Sequence, residues 1–444
     1  MHLTIVTSFP PSRASLCEYA EHLVRALAQR PEVTRLSVIA DQLPNGVREA
    51  TLPGLEHVKV HRIWRFNDAR NAARINRAIQ KIKPDGVLYN LQFASFGDRP
   101  MPASLGLFSP AITRLQGTPT ITLLHNLIET VDLERAGFGA NQLRNATIRL
   151  GGKILTKAML GSHRVAVTMP RYQDILEHQY RARNVFHAPH GTFQRTQPLP
   201  LPSKRTVLAF GKFGTYKRLE TLLQAQAILL EHNPDTHLVI AGTDSPNAPG
   251  YLERMQREHG ATNVTYTGYV PESQVRHVFA KASTVVFPYS GTTGSSGVLH
   301  QAGEFSRGAV LPLIGDLADL ITDEGYRAEF FEPENPTSLA EALERALDPE
   351  RALELGMNNH AAAMNLLLEN VVEKYIAAFT EICSVKLGSQ SHPSVSIPDS
   401  PGSWDEIITR YLKKHQELQP VHLRSNPDVI ASRLAKEGHR GHPR

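Results

Sequence analysis

Between Arg205 and Leu313 short apolar runs alternate with helical patterns, and this alternation constrains the chain more than any other feature. The runs Arg205–Phe210, His237–Ala241, Val264–Thr267, Thr284–Pro288 and Ala309–Leu313 read as strands. Between them lie helical stretches at Tyr216–His232, Gly250–His259, Glu272–Ala280 and Gly297–Arg307. The strands carry apolar side chains on both faces. A strand of that kind needs cover on two sides, which a parallel sheet flanked by helices supplies. The predicted fold class is therefore α/β with a doubly wound sheet.

The first half repeats the pattern less regularly. Strands are expected at Leu3–Thr7, Arg35–Ala40, Val58–Ile63, Gly86–Tyr89, Thr120–Leu124, Arg164–Thr168 and Asn184–His187, with helices at Ser15–Arg30, Ala69–Lys83 and Thr147–Leu160. Gln197–Ser203, rich in Pro and Leu, reads as a linker. The organisation is thus two Rossmann-like domains facing a cleft. Residues 1–196 form the first and 204–370 the second; the pattern is helical from Leu339 to about Cys383, and its last part, 371–383, is expected to pack back on the first. In that helix Val371, Val372, Tyr375, Ile376 and Phe379 make one apolar stripe. Residues 384–444 read as a Ser/Pro/Gly-rich linker, a short helix capped by Ser403 with Glu406, and a disordered polar tail.

A length of 444 residues suits two such domains. The net charge of +5 fits anionic small ligands or a peripheral contact with an anionic membrane surface. No Lys/Arg run interleaved with aromatics argues for nucleic acid. Cys17 and Cys383 are the only cysteines, which points to a reducing, cytoplasmic setting rather than a disulfide framework.

Doubly wound sheets bind ligands beyond the carboxyl ends of their strands, so the candidate site residues are those on loops that follow strands. After Arg205–Phe210 come Gly211, Lys212, Phe213, Gly214, Thr215, Tyr216, Lys217 and Arg218. The glycines permit close backbone approach, and the lysines suit a diphosphate; the competing reading is a turn with a solvated basic rim. After Thr284–Pro288 comes Gly291–Gly297, where Thr293, Gly294, Ser295, Ser296 and Gly297 open a helix. Free N–H groups and the helix dipole favour an anion there, against the alternative of a loop with an ordinary serine cap. His125 follows Thr120–Leu124 and either bonds a sugar hydroxyl or is structural. His190, in Pro189-His190-Gly191, belongs either to the ligand or to a hinge turn. No Asp/Glu/His cluster marks a metal site, and no cofactor is expected.

The stretch from Val207 to Leu347 resembles the donor domain of the retaining glycosyltransferases of family four, which have the GT-B fold. The match runs through Gly211-Lys212…Lys217-Arg218, Leu238-Val239-Ile240-Ala241-Gly242, Gly268-Tyr269-Val270 and Val285-Val286-Phe287-Pro288. The first half is similar in Pro119…His125 and in Pro189-His190-Gly191. The resemblance implies transfer of a sugar from a nucleotide-diphosphate donor to an acceptor hydroxyl, with retention. It places Lys212 and Lys217 on the donor diphosphate, Tyr269 and Val270 at the nucleobase, and His125 near the reacting sugar. The chain departs from the family at one point. The family carries two glutamates eight positions apart; here the first is missing, and Glu304 stands near the second. Replacement of the first glutamate by the donor groups of Gly291–Gly297 is expected. The departure also admits a non-catalytic subunit of the same fold that binds a partner transferase; a sugar-nucleotide epimerase is a further alternative, which the order of the family's motifs disfavours.

Overall fold

In a computed structural model of the chain the described residues are 1–386, apart from 13, 50–51, 131–141, 246, 260–261 and 292–293. Two parallel sheets organise them. The first contains β1 (His2–Val6), β2 (Arg35–Asp41), β3 (Lys59–Trp64), β4 (Gly86–Leu91), β5 (Thr120–Leu124), β6 (Arg164–Val167) and β7 (Val185–His187) in the order β3-β2-β1-β4-β5-β6-β7. The second contains β8 (Thr206–Phe213), β9 (His237–Asp244), β10 (Val264–Gly268), β11 (Thr284–Val286), β12 (Gly308–Pro312) and β13 (Ala328–Phe331) in the order β10-β9-β8-β11-β12-β13. In each sheet the winding reverses once, between β1 and β4 and between β8 and β11, and those two gaps are where such folds take ligands.

The strands form because their side chains leave water on both faces. In β4 every residue from Gly86 to Leu91 is buried, as is every residue of β5 and β12. Helices supply the cover. The three helices Pro336–Ala346, Pro349–Asn365 and Leu368–Lys386 replace the continuous helical pattern read after Leu339. Their breaks follow from chemistry: Asn335 and Asp348 each accept a first-turn N–H, at Ser338 and Arg351, and a proline begins each of the first two helices.

Leu368–Lys386 belongs to the core of the first sheet. Val372, Tyr375 and Phe379 are fully buried with Leu3, Leu23, Ile121 and Leu123. Each such side chain contributes roughly 1.5–3 kcal/mol, so the chain's return to the first sheet is an integral part of the fold. It returns beside the outgoing connection, where the Thr192 N–H donates to the Leu366 carbonyl and the Leu368 N–H to that of Thr192, both at 2.8 Å.

The linker at 197–203 is held rather than free. Arg307 is fully buried and donates to the carbonyls of Leu199, Pro200, Phe279, Ala280 and Ser306. Burial pushes its guanidinium down to about 10, so it remains a cation at neutral pH, paired with carbonyl dipoles instead of a carboxylate. No helix among the described residues is long and apolar enough to cross a membrane. The expected cap at Ser403 and Glu406, and the rest of 387–444, lie outside the described residues.

Candidate functional site

The turn after β8 and the loop after β11 meet at the reversal point of the second sheet. Lys217 and Tyr289 form an isolated antiparallel bridge, the Arg218 N–H donates to Pro288 O at 2.8 Å, and the Ser290 N–H to Tyr216 O at 2.8 Å. This pairing folds the Lys217 side chain back over the strand end. Its Nζ stands 4.9 Å from the centre of the Tyr289 ring and 2.7 Å from where a Cβ on Gly211 would be. Gly211 has φ +132°, so only glycine leaves room for the ammonium at that point. Among the described residues no carboxylate pairs with Lys217. It is a half-buried cation on an aromatic face at the ligand position of the sheet.

The neighbouring basic residues are placed differently. Lys212 is exposed near the end of β8. Arg218 is committed to Glu220, at 3.0 Å, whose other oxygen takes the Tyr251 hydroxyl at 2.7 Å. Tyr269, half exposed, and Val270 follow β10. Thr293 lies outside the described residues.

The loop into the helix Gly297–Glu304 differs in part from expectation. The Gly294 N–H donates to Asp316 Oδ2 at 2.9 Å, and the Ser295 hydroxyl lies 2.9 Å from His300 Nε2. These two groups are therefore occupied within the protein, because buried polar groups find partners before a ligand arrives. Ser296 is extended, with φ −104°, and makes no side-chain cap. The first helical bond runs from the Leu299 N–H to Ser296 O at 3.0 Å. The N–H groups of Gly297 and Val298 are thus the orphan donors of a helix start, and it is they that suit an anion.

Asp316 also accepts from the Tyr172 hydroxyl of the first domain at 2.5 Å, and Arg171 reaches Asp319 at 2.5 Å. The two domains are latched at this loop. There a Cβ on Gly294 would lie 2.3 Å from the carbonyl oxygen of His125.

Three imidazoles cross the domain boundary. The rings of His125 and His190 are 6.0 Å apart, and His190 stacks on His300 at 4.9 Å with 6° between planes. His125 Nε2 is 2.6 Å from Asn90 Oδ1, and Asn90 Nδ2 donates to Thr7 Oγ1 at 3.0 Å. With the amide so assigned, Nε2 carries the proton and Nδ1 is left as an acceptor. Burial and the nearby His190 push His125 down to about 3. Burial pushes His190 to about 4 and His300 well below its usual range. All three are neutral at pH 7. His300 Nδ1 meets the Tyr326 hydroxyl at 2.9 Å and Glu324 at 3.6 Å; burial raises the Glu324 carboxyl well above the carboxylate range, so the pair is neutral. Among the described residues no three His, Cys, Asp or Glu side chains form a metal-holding group.

Glu304 ends the helix, buried, at the connection between domains. Burial and Glu272 push its carboxyl up to about 7 from 4.5, against the Phe193 and Gln194 N–H groups and Arg276. The folded state therefore holds a proton that the unfolded state releases between those values. This stability is present below the unfolded pKa and lost as pH rises through the folded one, up to ~3 kcal/mol. In Glu304→Gln the fall between about pH 4.5 and 7 is expected to flatten by that amount relative to the parent, as read by chemical denaturation across the range. Parallel pH profiles in the two proteins would contradict the assignment.

Sequence reasoning singled out Lys217, His125 and the helix start, and it missed His300, Asp316, Tyr172 and Asn90. Asp316 opens a helix shortly after β12, so the same rule of searching beyond strand ends reaches it. His300 follows the apolar pair Val298-Leu299 and stands one turn before Glu304. Tyr172 carries no sequence signal because its role exists only once two domains meet, and Asn90 carries none because its partners His125 and Thr7 come from the ends of other strands of the same sheet.

Residues 204–349 match the family described as glycosyl transferases group 1, so the second sheet belongs to a domain of that kind. The GDP-mannose:cellobiosyl-diphosphopolyprenol alpha-mannosyltransferase of Komagataeibacter xylinus is 24% identical over 183 residues, 40% of this chain and 46% of that protein. The chain thus aligns with about half the length of that curated relative. The structure is similar to a sucrose-phosphate synthase from Thermosynechococcus elongatus, with a TM-score of 0.67 at 17% identity over 87% of this chain and all of the other. It is also similar to Anabaena HepE in complex with UDP-glucose, with a TM-score of 0.60 at 14% identity over 87% of this chain and all of that one. The fold is that of the two-domain GT-B glycosyltransferase structures.

Proposed function

We propose that this chain transfers a sugar from a nucleotide-diphosphate donor to an acceptor hydroxyl, with retention at the anomeric carbon and without a divalent metal. The observation that carries the reading is Lys217: a cation without a carboxylate partner among the described residues, at the reversal point of the second sheet, beside the open helix start at Gly297. Breaking the bond between sugar and phosphate puts negative charge on the departing diphosphate. We assign Lys217, Lys212 and the N–H groups of Gly297 and Val298 to receive it. The acceptor oxygen attacks the anomeric carbon on the face the phosphate leaves, and its proton passes to a phosphate oxygen, so no protein nucleophile is required. Neutral His125 offers Nδ1 to a sugar hydroxyl. GDP-mannose and UDP-glucose are the first donors to test, on the names of the relative and the structural neighbour. A panel of nucleotide sugars, followed by NMR of the anomeric proton in the product, tests the reading. Retained configuration supports it, and inversion contradicts it.

Metal independence is tested separately. Turnover is expected to survive EDTA unchanged, because lysines and a helix start supply the countercharge. Loss of activity restored by magnesium or manganese would contradict this.

One observation favours a second reading. Gly294 N–H and the Ser295 hydroxyl, expected to replace the missing first glutamate, are occupied by Asp316 and His300. A subunit that binds a nucleotide sugar without turning it over would show such a site, and binding without turnover across the panel supports that reading instead.

A further inference from the structure

We infer that the outer face of the first domain carries a docking surface for an anionic lipid bilayer, built on the helices Ser109–Leu115 and Gln142–Met159 and on the turn before β7. The helix Gln142–Met159 exposes Arg149, Leu150, Lys153, Ile154 and Lys157. Positions i, i+1, i+4, i+5 and i+8 fall on one face of a helix. That face mixes cations with large apolar side chains: Leu150 is 63% exposed and Ile154 53%. Leu115, 86% exposed, adjoins it on the helix Ser109–Leu115, next to Arg114. The helix Ser109–Leu115 packs directly on the end of the longer one, since a Cβ on Gly161 would meet Ala111 Cβ at 2.9 Å.

Beside this face opens a recess of about 620 Å³ at the amino ends of β5, β6 and β7, the edge of the sheet away from Lys217 and His125. Arg114, Lys157, Arg181 and Arg183 line it, and among the described residues no carboxylate does. Arg114 donates to the carbonyls of Gly161 and Ser162. Among the described residues Lys157, Arg181 and Arg183 form no ion pair, whereas Arg164 and Arg171, nearby in sequence, are paired with Glu381 and Asp319.

The exposed aliphatic surface gains by leaving water, and the hydrated cations beside it are complementary to an anionic bilayer surface. The aliphatic groups enter the boundary of the acyl chains, and the cations face headgroup phosphates. Charge complementarity thus selects an anionic membrane. The inference rests on these side chains and stands whether or not the chain transfers sugar.

Sedimentation of the full chain with vesicles tests it. Binding is expected to vesicles of phosphatidylcholine containing phosphatidylglycerol, and far less to phosphatidylcholine alone. Lys157→Glu, Arg181→Glu and Arg183→Glu combined should weaken binding roughly tenfold or more. The milder Arg181→Gln with Arg183→Gln should weaken it less. Leu150→Ser with Ile154→Ser should weaken it at constant charge. Lys204→Glu, Arg254→Glu and Arg257→Glu, in the second domain, should leave it unchanged. All these positions are exposed, and an unaltered melting temperature verifies the fold. The proposal is overturned if the parent ignores anionic vesicles, if the patch variants bind like the parent, or if the second-domain triple variant loses as much.

Discussion

Gly294→Val is expected to abolish most activity, and Gly294→Ala to do nearly the same. Gly294 has φ +81°, and a Cβ there would lie 2.3 Å from the His125 carbonyl oxygen. The left-handed backbone costs a non-glycine residue roughly 1–3 kcal/mol. The overlap is with main chain, which cannot rotate away, and forced overpacking adds roughly 1–3 kcal/mol. The junction between domains closed by Tyr172, Asp316 and the Gly294 N–H must then open. A loss of about 4 kcal/mol, roughly a thousandfold in kcat/KM, is the expected scale. Ser295→Ala is the control: it removes the hydroxyl facing His300 and should cost only ~1 kcal/mol. Full turnover by Gly294→Ala would mean that the loop does not close on the first domain as described.

Lys217→Ala is expected to lower kcat/KM by about 10²–10³, or ~2.7–4 kcal/mol, the loss that follows removal of one donor from a developing anion. Stability should change little. Without ligand the substitution removes only the ammonium over the Tyr289 ring, worth roughly 0.5–1 kcal/mol at a partly exposed site. The imbalance between the two numbers is the diagnostic result. A structural lysine would lose melting temperature and turnover together; one reserved for the diphosphate loses turnover alone. Kinetics and thermal denaturation of the same preparation separate the cases, and unchanged kcat/KM removes Lys217 from the site.

The two sheets were legible in the sequence because burial on both faces leaves continuous apolar runs such as Leu238–Ala241, which few other environments tolerate. The short strand Ala328–Phe331 was not legible, because its acidic Glu329 breaks the apolar pattern. Glu329 is tolerated there because Arg345 and Arg351 pair with it at 2.8 and 2.7 Å. The continuous pattern from Leu339 onward hid three helices because the apolar residues Leu347, Leu366 and Leu367 run through the breaks, and only Asn335, Asp348 and the prolines mark the starts of the first two. At the site, the rule about strand ends located Lys217, His125 and the helix at Gly297. It could not say which donors remain open. Gly294 and Ser295 read as free groups in a loop rich in small residues, and only the packed structure reveals that Asp316 and His300 hold them. Interactions made across the domain boundary, such as Tyr172 with Asp316 or His190 with His300, depend on how the halves meet, and local sequence carries no information about that.

The central claim is that the donor diphosphate sits between the turn after β8 and the start of the helix Gly297–Glu304. A crystal structure of the full chain with a bound nucleoside diphosphate tests it most directly. The distal phosphate is expected within hydrogen-bond reach of Lys217 Nζ and of the Gly297 or Val298 N–H. A diphosphate bound elsewhere, with Lys217 still folded over Tyr289 and the helix start facing solvent, would contradict it.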